Sequence, residues 1–325
     1  MNDAIAKLPW TDRQWDLVQQ AVREGAERTR IPAKSLRAAK ADPTDVAVPE
    51  YALRTAPLPL APNPSLDSAL AGLIAQPRRP DVNSDPTLYL TTLSKLVYLR
   101  NREVADGDLE AALTYFRRAG AQIAQAENAL LLNGRGPGGG PANAGPIPGA
   151  PPGVIVNALP RPVPGLCAPL GVPRRFMPPI VPIPMPTFPA ITAAGSFAAA
   201  FAGAVTGAVS AATAQLESYA YHAPYAMVAS TPLWTAINQP AAMSLIPARP
   251  AIERILQGGP LMYSALLPAP FAIVLAHDCP ELEQMLAREI KVKFLHASEE
   301  PRFVFRVSVR TALRVRDRRA ITVIV

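Results

Sequence analysis

The chain has 325 residues, which is enough for one large domain or two ordinary ones with a sizeable buried core. Hydrophobic residues make up 49% of it and charged residues 18%, a balance that excludes a chain disordered throughout. The net charge of +7 leaves an acidic partner such as nucleic acid open, and 38 prolines predict many loops, turns and sheet edges because proline breaks helices.

The N-terminal segment predicts a well-specified helix. Thr11 is a good N-cap and Gln14 lies at position N3, which is the pattern of a capping box. Trp10, before the cap, and Trp15, at N4, match a hydrophobic staple. Since the residue before a proline disfavours helical backbone, we expect the helix to end before Ile31-Pro32.

The next part of the chain predicts an extended excursion. A proline-punctuated stretch at 48–64 and a Thr-, Tyr- and Leu-rich run at 86–99 both favour extended backbone. A short helix candidate, SLDSALAGLIAQ at 65–76, lies between them. Two extended arms separated by an insertion are typical of a long hairpin-like loop.

The clearest helix signal runs from about Asp108 to Asn133. Asp108 is the expected N-cap, apolar residues follow on one face at steps of three, four or seven, and Asn133-Gly134 is a C-terminal stop. A helix of about 25 residues is roughly 40 Å long, so we expect it to act as a backbone for the fold.

The middle of the chain is rich in proline, glycine and alanine. A joint at 134–153 and proline-rich chain to about Pro189 indicate an insertion or an irregular covering loop, and an Ala-rich helix is expected at 194–215. No charged residue lies between Arg175 and Glu217, which leaves a membrane anchor at 188–215 open. The weak hydrophobicity of this helix and its lack of flanking cations favour a buried or interface helix instead.

The C-terminal third predicts strands. The segments AMVAST at 226–231 and FAIVLA at 271–276 fit buried strands, with a short helical turn at 232–237 and a short helix at 252–257 between them. From Phe303 to Val315 apolar residues alternate with arginines, which predicts a strand with a core face and a cationic face. Asp317-Arg318 is the expected turn, after which AITVIV would pair back as a hairpin.

No catalytic, metal or cofactor site is predicted. The histidines at 222, 277 and 296 lack metal-ligand spacing, and no nucleotide-binding or hydrolase motif occurs. Cys167 and Cys279 do not make a disulfide framework, and the first residues lack the basic and apolar regions of a secretion signal. We therefore expect a non-enzymatic protein in the cytoplasm.

Taken in order, these elements resemble the encapsulin shell proteins, a branch of the tailed-phage major capsid fold. Four stretches carry the resemblance, at 8–30, 112–134, 221–234 and 303–325: LPWTDRQWDLVQQAVREGAERTR, ALTYFRRAGAQIAQAENALLLNG, YHAPYAMVASTPLW and FVFRVSVRTALRVRDRRAITVIV. The resemblance implies an α+β capsid fold with a peripheral domain, an axial domain and an extended loop. It also implies self-assembly into an icosahedral nanocompartment that encloses a cargo protein, held through a short targeting peptide.

The division that the resemblance implies has five parts. Residues 1–46 hold the N-terminal helix and the start of the peripheral domain, and 47–95 hold the extended loop. Residues 96–134 are the peripheral domain with its spine helix. Residues 135–258 are the axial domain with the proline-rich insertion, and 259–325 are the closing β-rich part of the peripheral domain.

Three surfaces are candidates for function. By resemblance, the groove that receives the cargo peptide is expected at Trp15, Val18 and Val22, and packing of this helix on the core is the alternative that stays open. By resemblance also, the loop around the five-fold pore is expected at Gln239, Pro240, Ala241, Ala242, Met243 and Ser244. The cationic face of the C-terminal strand is expected to meet acidic residues on a neighbouring subunit's arm, through Arg302, Arg306, Arg310 and Arg314.

Two rival functions stay open. A viral or prophage capsid subunit would enclose DNA, and the arginine face would then bind nucleic acid. Nucleic acid is the disfavoured partner because that face lacks interleaved aromatic residues, since Phe303 and Phe305 point the other way. A membrane-attached protein anchored by residues 188–215 is disfavoured as well, on the composition of that segment.

Overall fold

The computed structural model describes residues 8, 10–45, 47–49, 52–54, 81–83, 87–134, 147–157, 163, 165–167, 196–241, 244–267, 270–297 and 302–324. The short helix candidate at 65–76 and the proline-rich residues 168–189 lie outside the described residues. The helices are α1 (Asp12–Thr29), α2 (Asn101–Ala105), α3 (Glu110–Asn133), α4 (Ser196–Ser218), α5 (Thr231–Asn238) and α6 (Arg249–Ile255). The strands are β1 (Arg37–Lys40), β2 (Ala47–Pro49), β3 (Ala52–Arg54), β4 (Asp81–Asn83), β5 (Thr87–Tyr89), β6 (Thr91–Arg100), β7 (Ile155–Asn157), β8 (Tyr225–Ser230), β9 (Pro240–Ala241), β10 (Ser244–Pro247), β11 (Leu261–Ser264), β12 (Ala272–Ala276), β13 (Leu282–Ala297), β14 (Arg302–Val315) and β15 (Ile321–Ile324).

The N-terminal helix forms as the sequence predicts. Thr11 caps α1 in a capping box, because its side chain accepts a hydrogen bond from the Gln14 amide and the Gln14 side chain accepts one from the Thr11 amide. The rings of Trp10 and Trp15 meet edge to face with centroids 5.2 Å apart, so the expected staple is present. The helix ends at Thr29, before Pro32.

Trp10 belongs to an aromatic core that joins the helices to the C-terminal strands. Its ring stacks on Phe305 of β14 at 5.0 Å, and Phe305 meets Phe116 of α3 edge to face at 5.3 Å. The indole N–H of Trp10 donates to the carbonyl of Val104 at 3.0 Å, so its polar atom is satisfied in the interior. This cluster fixes α1, α2 and α3 on one face of the first sheet.

The spine helix α3 ends where the sequence predicts but does not begin there. Its C-cap is Gly134, whose φ of 64° lies in the region that favours glycine. The N-cap is Leu109, with φ of 54°, and the prediction of Asp108 is wrong. Leu109 is fully buried while Asp108 is exposed, so burial of the leucine side chain sets where the helix begins.

Five strands form the first sheet, in the order β1-β13-β14-β6-β7. The strand predicted between Phe303 and Val315 is confirmed as β14, which lies in the centre and is antiparallel to both β13 and β6. One face of the sheet packs on α3, as the hydrogen bond from Gln284 of β13 to Glu127 of α3 shows. That face also contributes Leu93, Phe305 and Val307 to the main core.

The extended excursion leaves the sheet as a two-stranded ribbon. Antiparallel pairing of β2 with β5 and of β3 with β4 confirms the hairpin-like arm. The base of the arm packs on the sheet face opposite α3. Leu313 is the cross-strand partner of Gln284 and so lies on the α3 side, and the adjacent Ala312, which contacts the arm, therefore lies on the other side. The residues of this contact are Val48, Leu88, Leu90, Met285, Ala287 and Ala312.

Four strands form the second sheet, in the order β11-β8-β12-β15. The segments predicted as buried strands are confirmed as β8 and β12, which pair antiparallel and are buried along their whole length. The Ala-rich helix is α4, and its apolar side chains enter the core of this sheet. The residues concerned are Val205, Val209, Ala212 and Leu216.

The last strand does not pair with β14, so the predicted closing hairpin is wrong. Both edges of β14 are already occupied, by β13 and β6, and leave no free edge for another strand. A short 3-10 helix, Arg318–Ala320, redirects the chain, and β15 pairs with β12 in the second sheet. The domain boundaries stay predictions, and a boundary between 258 and 259 would separate β8 from β11 within one sheet.

Parts of the proline-rich region are built into the fold. Residues 155–157 form β7, which extends the first sheet beyond β6. The amides of Leu166 and Cys167 donate to the carbonyls of Leu131 and Leu132, and so supply partners for the last turn of α3. The described part of this region is therefore a covering loop, one of the two interpretations that the sequence allowed.

Candidate assembly surfaces

The predicted cargo groove lies on α1, and the structure corrects two of its residues. Val18 and Val22 are fully buried against α3, so the prediction that they line a surface groove is wrong. The physical reason is close helix contact, since a Cβ on Gly25 would meet the backbone of α3 and one on Gly120 would meet the backbone of α1. Trp15 is partly buried and packs against the same core, and its place in a groove stays a prediction.

Leu17 is the exposed apolar side chain of α1, with 38% of its surface open. Its helix neighbours Asp16 and Gln20 are exposed and polar, which makes Leu17 an isolated apolar position. The sequence pattern did not indicate Leu17, because the apolar stripe of α1 runs through Trp15, Val18 and Val22. The available signal was that a leucine between Trp15 and Val18 is off that stripe.

The predicted pore loop is a short hairpin between two helices. β9 pairs antiparallel with β10, directly after α5 and before α6. Gln239 is exposed, and Pro240, Ala241 and Ser244 belong to the two strands. Ala242 and Met243 lie outside the described residues, and the place of the loop at a five-fold axis stays a prediction.

An aromatic pair lies beside this hairpin. The rings of Trp234 on α5 and Tyr263 on β11 stack at 5.3 Å, and the guanidinium of Arg249 lies 5.3 Å from the Trp234 ring. Arg249 also donates to Glu253 and to Asn238, which holds it in place. Tyr263 is 50% exposed, so the pair presents a flat aromatic surface that no sequence pattern indicated.

The basic face of β14 has two halves, and among the described residues the base of the arm packs on one of them. Arg314 pairs with the buried Glu283 of β13, and Arg310 donates to the carbonyl of Pro43 at 3.3 Å. The base of the arm covers this same half. Arg310 and Arg314 are thus engaged within the chain. Arg302 and Arg306 lie in the other half, where Arg302 also has a partner. A role of the four in subunit contacts stays a prediction.

The half that holds Arg302 and Arg306 has more cations than the sequence assigned to it. Cross-strand partners in an antiparallel sheet share a face, and Lys293 is the partner of Arg306. Lys291 lies two residues away on the same strand, and Arg100 of β6 is the partner of Arg302. The term "open basic face" below denotes Arg100, Lys291, Lys293, Arg302 and Arg306.

The sequence contained one signal of the open basic face that was missed, and one prediction about this face was incomplete. Lys291 and Lys293 alternate with the buried Val292 and Phe294, a period-two signal that sequence reasoning missed. Aromatic residues are also not missing from this face, because Tyr98 of β6 is the partner of Val304 and is 55% exposed. The argument against nucleic acid holds for β14 but not for the sheet that it belongs to.

Glu127 is a fully buried carboxylate at the junction of the layers. Arg30, after the end of α1, donates to it from Nε at 2.8 Å, and Gln284 of β13 donates at 2.5 Å. Burial raises the pKa of Glu127, while the charge of Arg30 and both hydrogen bonds act to lower it. These contacts connect the chain after α1 with α3 and the first sheet through one polar cluster.

The described residues bear on metal binding, thiol reactivity and membrane insertion. No group of three metal-ligating side chains occurs among those residues. Burial raises the pKa of the Cys167 thiol to about 12 and that of the Cys279 thiol to about 11, so both stay protonated at neutral pH. None of the described helices is long and apolar enough to cross a membrane.

Comparison with solved structures identifies the fold. The chain is similar to the virus-like particle protein from Pyrococcus furiosus, covering 96% of this chain and 99% of that one, with 12% identity and a TM-score of 0.60. It is also similar to the capsid protein of a native GTA particle, at 91% and 90% coverage, 16% identity and a TM-score of 0.54. The capsid protein of Myoviridae phage XM1 matches at 90% and 89% coverage, 10% identity and a TM-score of 0.52. The chain therefore has the tailed-phage major capsid fold, as the sequence predicted.

Within that class, the chain resembles one family in particular. Residues 191–308 match the encapsulin family whose description is the encapsulating protein for peroxidase. This match confirms the resemblance to encapsulins over α4, the strands β8, β11 and β12 of the second sheet, and β13 with the first part of β14. No curated protein matches the chain. The comparisons together support a shell-forming protein.

Proposed function

We propose that this chain self-assembles into an icosahedral nanocompartment that encloses a cargo protein. The observation that carries the proposal is the capsid fold along nearly the whole chain, with an arm that projects from the first sheet. A subunit of a closed shell buries much of its surface against copies of itself. Exposed large apolar side chains on several elements fit this need, and they are Leu17, Tyr98, Tyr115, Ile155, Tyr219 and Tyr263.

The enclosed cargo is proposed to bind α1 through a short targeting peptide. Leu17 and Trp15 are the apolar side chains of α1 that stay at least partly exposed, and a peptide with a few aliphatic anchors suits such a surface. The hairpin at 240–247 is proposed to line the five-fold pore. The compartment is proposed to lie in the cytoplasm.

Assembly is tested on the purified full-length chain. Size-exclusion chromatography with light scattering and negative-stain microscopy should show hollow particles with a mass many times the 34.6 kDa of one subunit. Mass spectrometry of particles from the native source should find a second protein in a constant ratio to the shell protein. A monomer or dimer under all assembly conditions would rule out the proposal.

A viral or prophage capsid that encloses DNA is the second candidate. The specific observation that favours it is the group of cations on one face of the first sheet, since contacts of Lys and Arg to phosphates dominate DNA binding. The ratio of absorbance at 260 and 280 nm of nuclease-treated particles separates the two candidates. Protected nucleic acid favours the viral function, and its absence together with enclosed protein favours the nanocompartment.

A further inference from the structure

We infer that the open basic face of one subunit binds an acidic turn on a second copy of the chain. The acidic turn is the connection from α2 into α3, with Asp106, Asp108 and Glu110. The inference rests on the proposed function, because it names the charged contact that orders subunits within the shell. The sequence had instead predicted that the basic face contacts acidic residues on the arm of a neighbouring subunit.

The arm is a poor complement for a basic surface. Residues 47–95 contain acidic side chains at 50, 67, 81 and 85 and basic ones at 54, 78, 79 and 95, so the segment has no net charge. The acidic turn has three carboxylates within five residues and no cation among them. Charge complementarity therefore favours the turn over the arm as the partner.

The carboxylates of the acidic turn are available to a partner. Asp106, Asp108 and Glu110 are all exposed. Within the turn, the Asp106 carboxylate accepts a hydrogen bond from the Asp108 amide, which shapes the loop. On the opposing surface, Lys291 and Lys293 are exposed in the same way.

Within one subunit the two surfaces lie on opposite sides of the first sheet. The carbonyl of Gly107 accepts a hydrogen bond from the Gln14 side chain at 3.2 Å, which places the acidic turn beside α1, on the helix side of the first sheet. The open basic face is on the other side of that sheet, since Arg306 alternates with the core residues Phe305 and Val307. The sheet separates the two surfaces within a chain, so their pairing requires a second copy.

A contact between two different surfaces of identical chains is heterologous. Such contacts close into rings when the rotation between neighbours allows it, which suits the symmetric arrangement of a shell. Charge pairs at an interface contribute more to specificity and association rate than to affinity. The pairing is therefore expected to set the order of subunits, while apolar contacts supply most of the affinity.

The test is reciprocal charge reversal in the full-length chain. K291E/K293E and D108K/E110K each place like charges together, so each should lower the assembled fraction at least roughly tenfold, the change that 1.4 kcal/mol produces. The combination of all four substitutions restores opposite charges and should return assembly to near the wild-type level. The control K34E/R254E makes the same change of charge on two exposed cations elsewhere and should assemble normally.

The outcomes separate the inference from the proposed function. Failure of the four-fold variant to recover assembly, with folded subunits by circular dichroism, overturns the inference while wild-type particles still support a shell. Normal assembly of K291E/K293E with loss of co-purified nucleic acid also overturns it, and assigns the face to a polyanion. Absence of particles from the wild-type protein itself is a failure of the proposed function.

Discussion

The carbonyl oxygen of Val22 on α1 lies too close to the Cα of Gly120 on α3 to leave room for a Cβ there. Gly25 of α1 stands in the same relation to the carbonyl of Arg117 on α3, so the two helices touch backbone to backbone at two points. This contact brings Val18 and Val22 into the core and seats α1 on the spine helix. The position in which α1 packs determines which of its side chains are exposed and can contact a cargo peptide.

Replacing Gly120 by alanine should separate the two helices. Relief of the clash requires a backbone shift in a well-packed core, which costs about 3 kcal/mol in the free energy of unfolding. The measurement is urea denaturation of the purified protein, followed by circular dichroism. Gly207 of α4 is the matched control, since nothing lies within 4 Å of its added Cβ, and G207A should stabilise by up to about 1 kcal/mol through helix propensity. Equal stability of G120A and G207A would show that the helices can move apart freely.

Replacing Arg30 by alanine should leave the carboxylate of Glu127 buried without its charged partner. Glu127 has no exposed surface, and removing one member of a buried ion pair costs about 3–5 kcal/mol. The same denaturation experiment measures this loss. Arg28, exposed in the last turn of α1, is the control, and R28A should change the free energy of unfolding little. A loss in R30A no larger than that in R28A would mean that the carboxylate takes up a proton or water instead.

The pKa of Glu127 also predicts a pH dependence. Because burial raises this pKa in the folded state above its ordinary value of 4.5, the folded state binds the proton more tightly than the unfolded chain does. Stability from this group is therefore present at low pH and is lost as the pH rises through the folded pKa. The free energy of unfolding of the wild type, relative to E127Q, should increase as the pH is lowered towards 4.5. A difference that is constant with pH would mean that Glu127 does not titrate in this range.

The elements that the sequence predicted correctly are those with local signals. The cap at Thr11, the stop at Gly134 and the alternation along β14 each depend on a few neighbouring residues. The errors depend on tertiary contacts. Leu109 replaces Asp108 as the cap because its side chain is buried, and β15 pairs with β12 because β14 has no free edge.

The surfaces were harder to predict than the elements for the same reason. Val18 and Val22 have the composition of either a groove or a core, and the glycine contact between α1 and α3 decides for the core. The open basic face combines the neighbouring strands β13 and β14 with β6, which is far away in sequence, so one strand alone showed only part of it. Sequence spacing predicts which residues share an element, but not which elements share a face.

Replacing Gln19 by alanine should expose an edge of the first sheet. β1 pairs with β13 at residues 283–286. Further along β13, the Gln19 side chain hydrogen-bonds to the backbone of Val292, donating to its carbonyl at 3.1 Å and accepting from its amide at 3.3 Å. Loss of both hydrogen bonds should cost about 1–3 kcal/mol and leave an unpaired edge that favours aggregation. Light scattering at rising protein concentration measures the aggregation. Gln20, whose side chain donates to the half-buried Glu24, is the control, and Q20A should behave like the wild type.

Replacing Leu17 by aspartate should remove cargo without removing the shell. The side chain is 38% exposed on α1, so a carboxylate there stays solvated, and the core contacts of Val18 and Val22 are unchanged. An apolar anchor of a peptide loses its contact and faces a charge, which should lower the enclosed protein per particle roughly tenfold for each 1.4 kcal/mol of binding lost. Mass spectrometry of purified particles measures this ratio. Q20D introduces the same charge one turn along α1 and should retain cargo. Equal retention of cargo in L17D would contradict the prediction and place the cargo site at another exposed apolar residue, such as Tyr115.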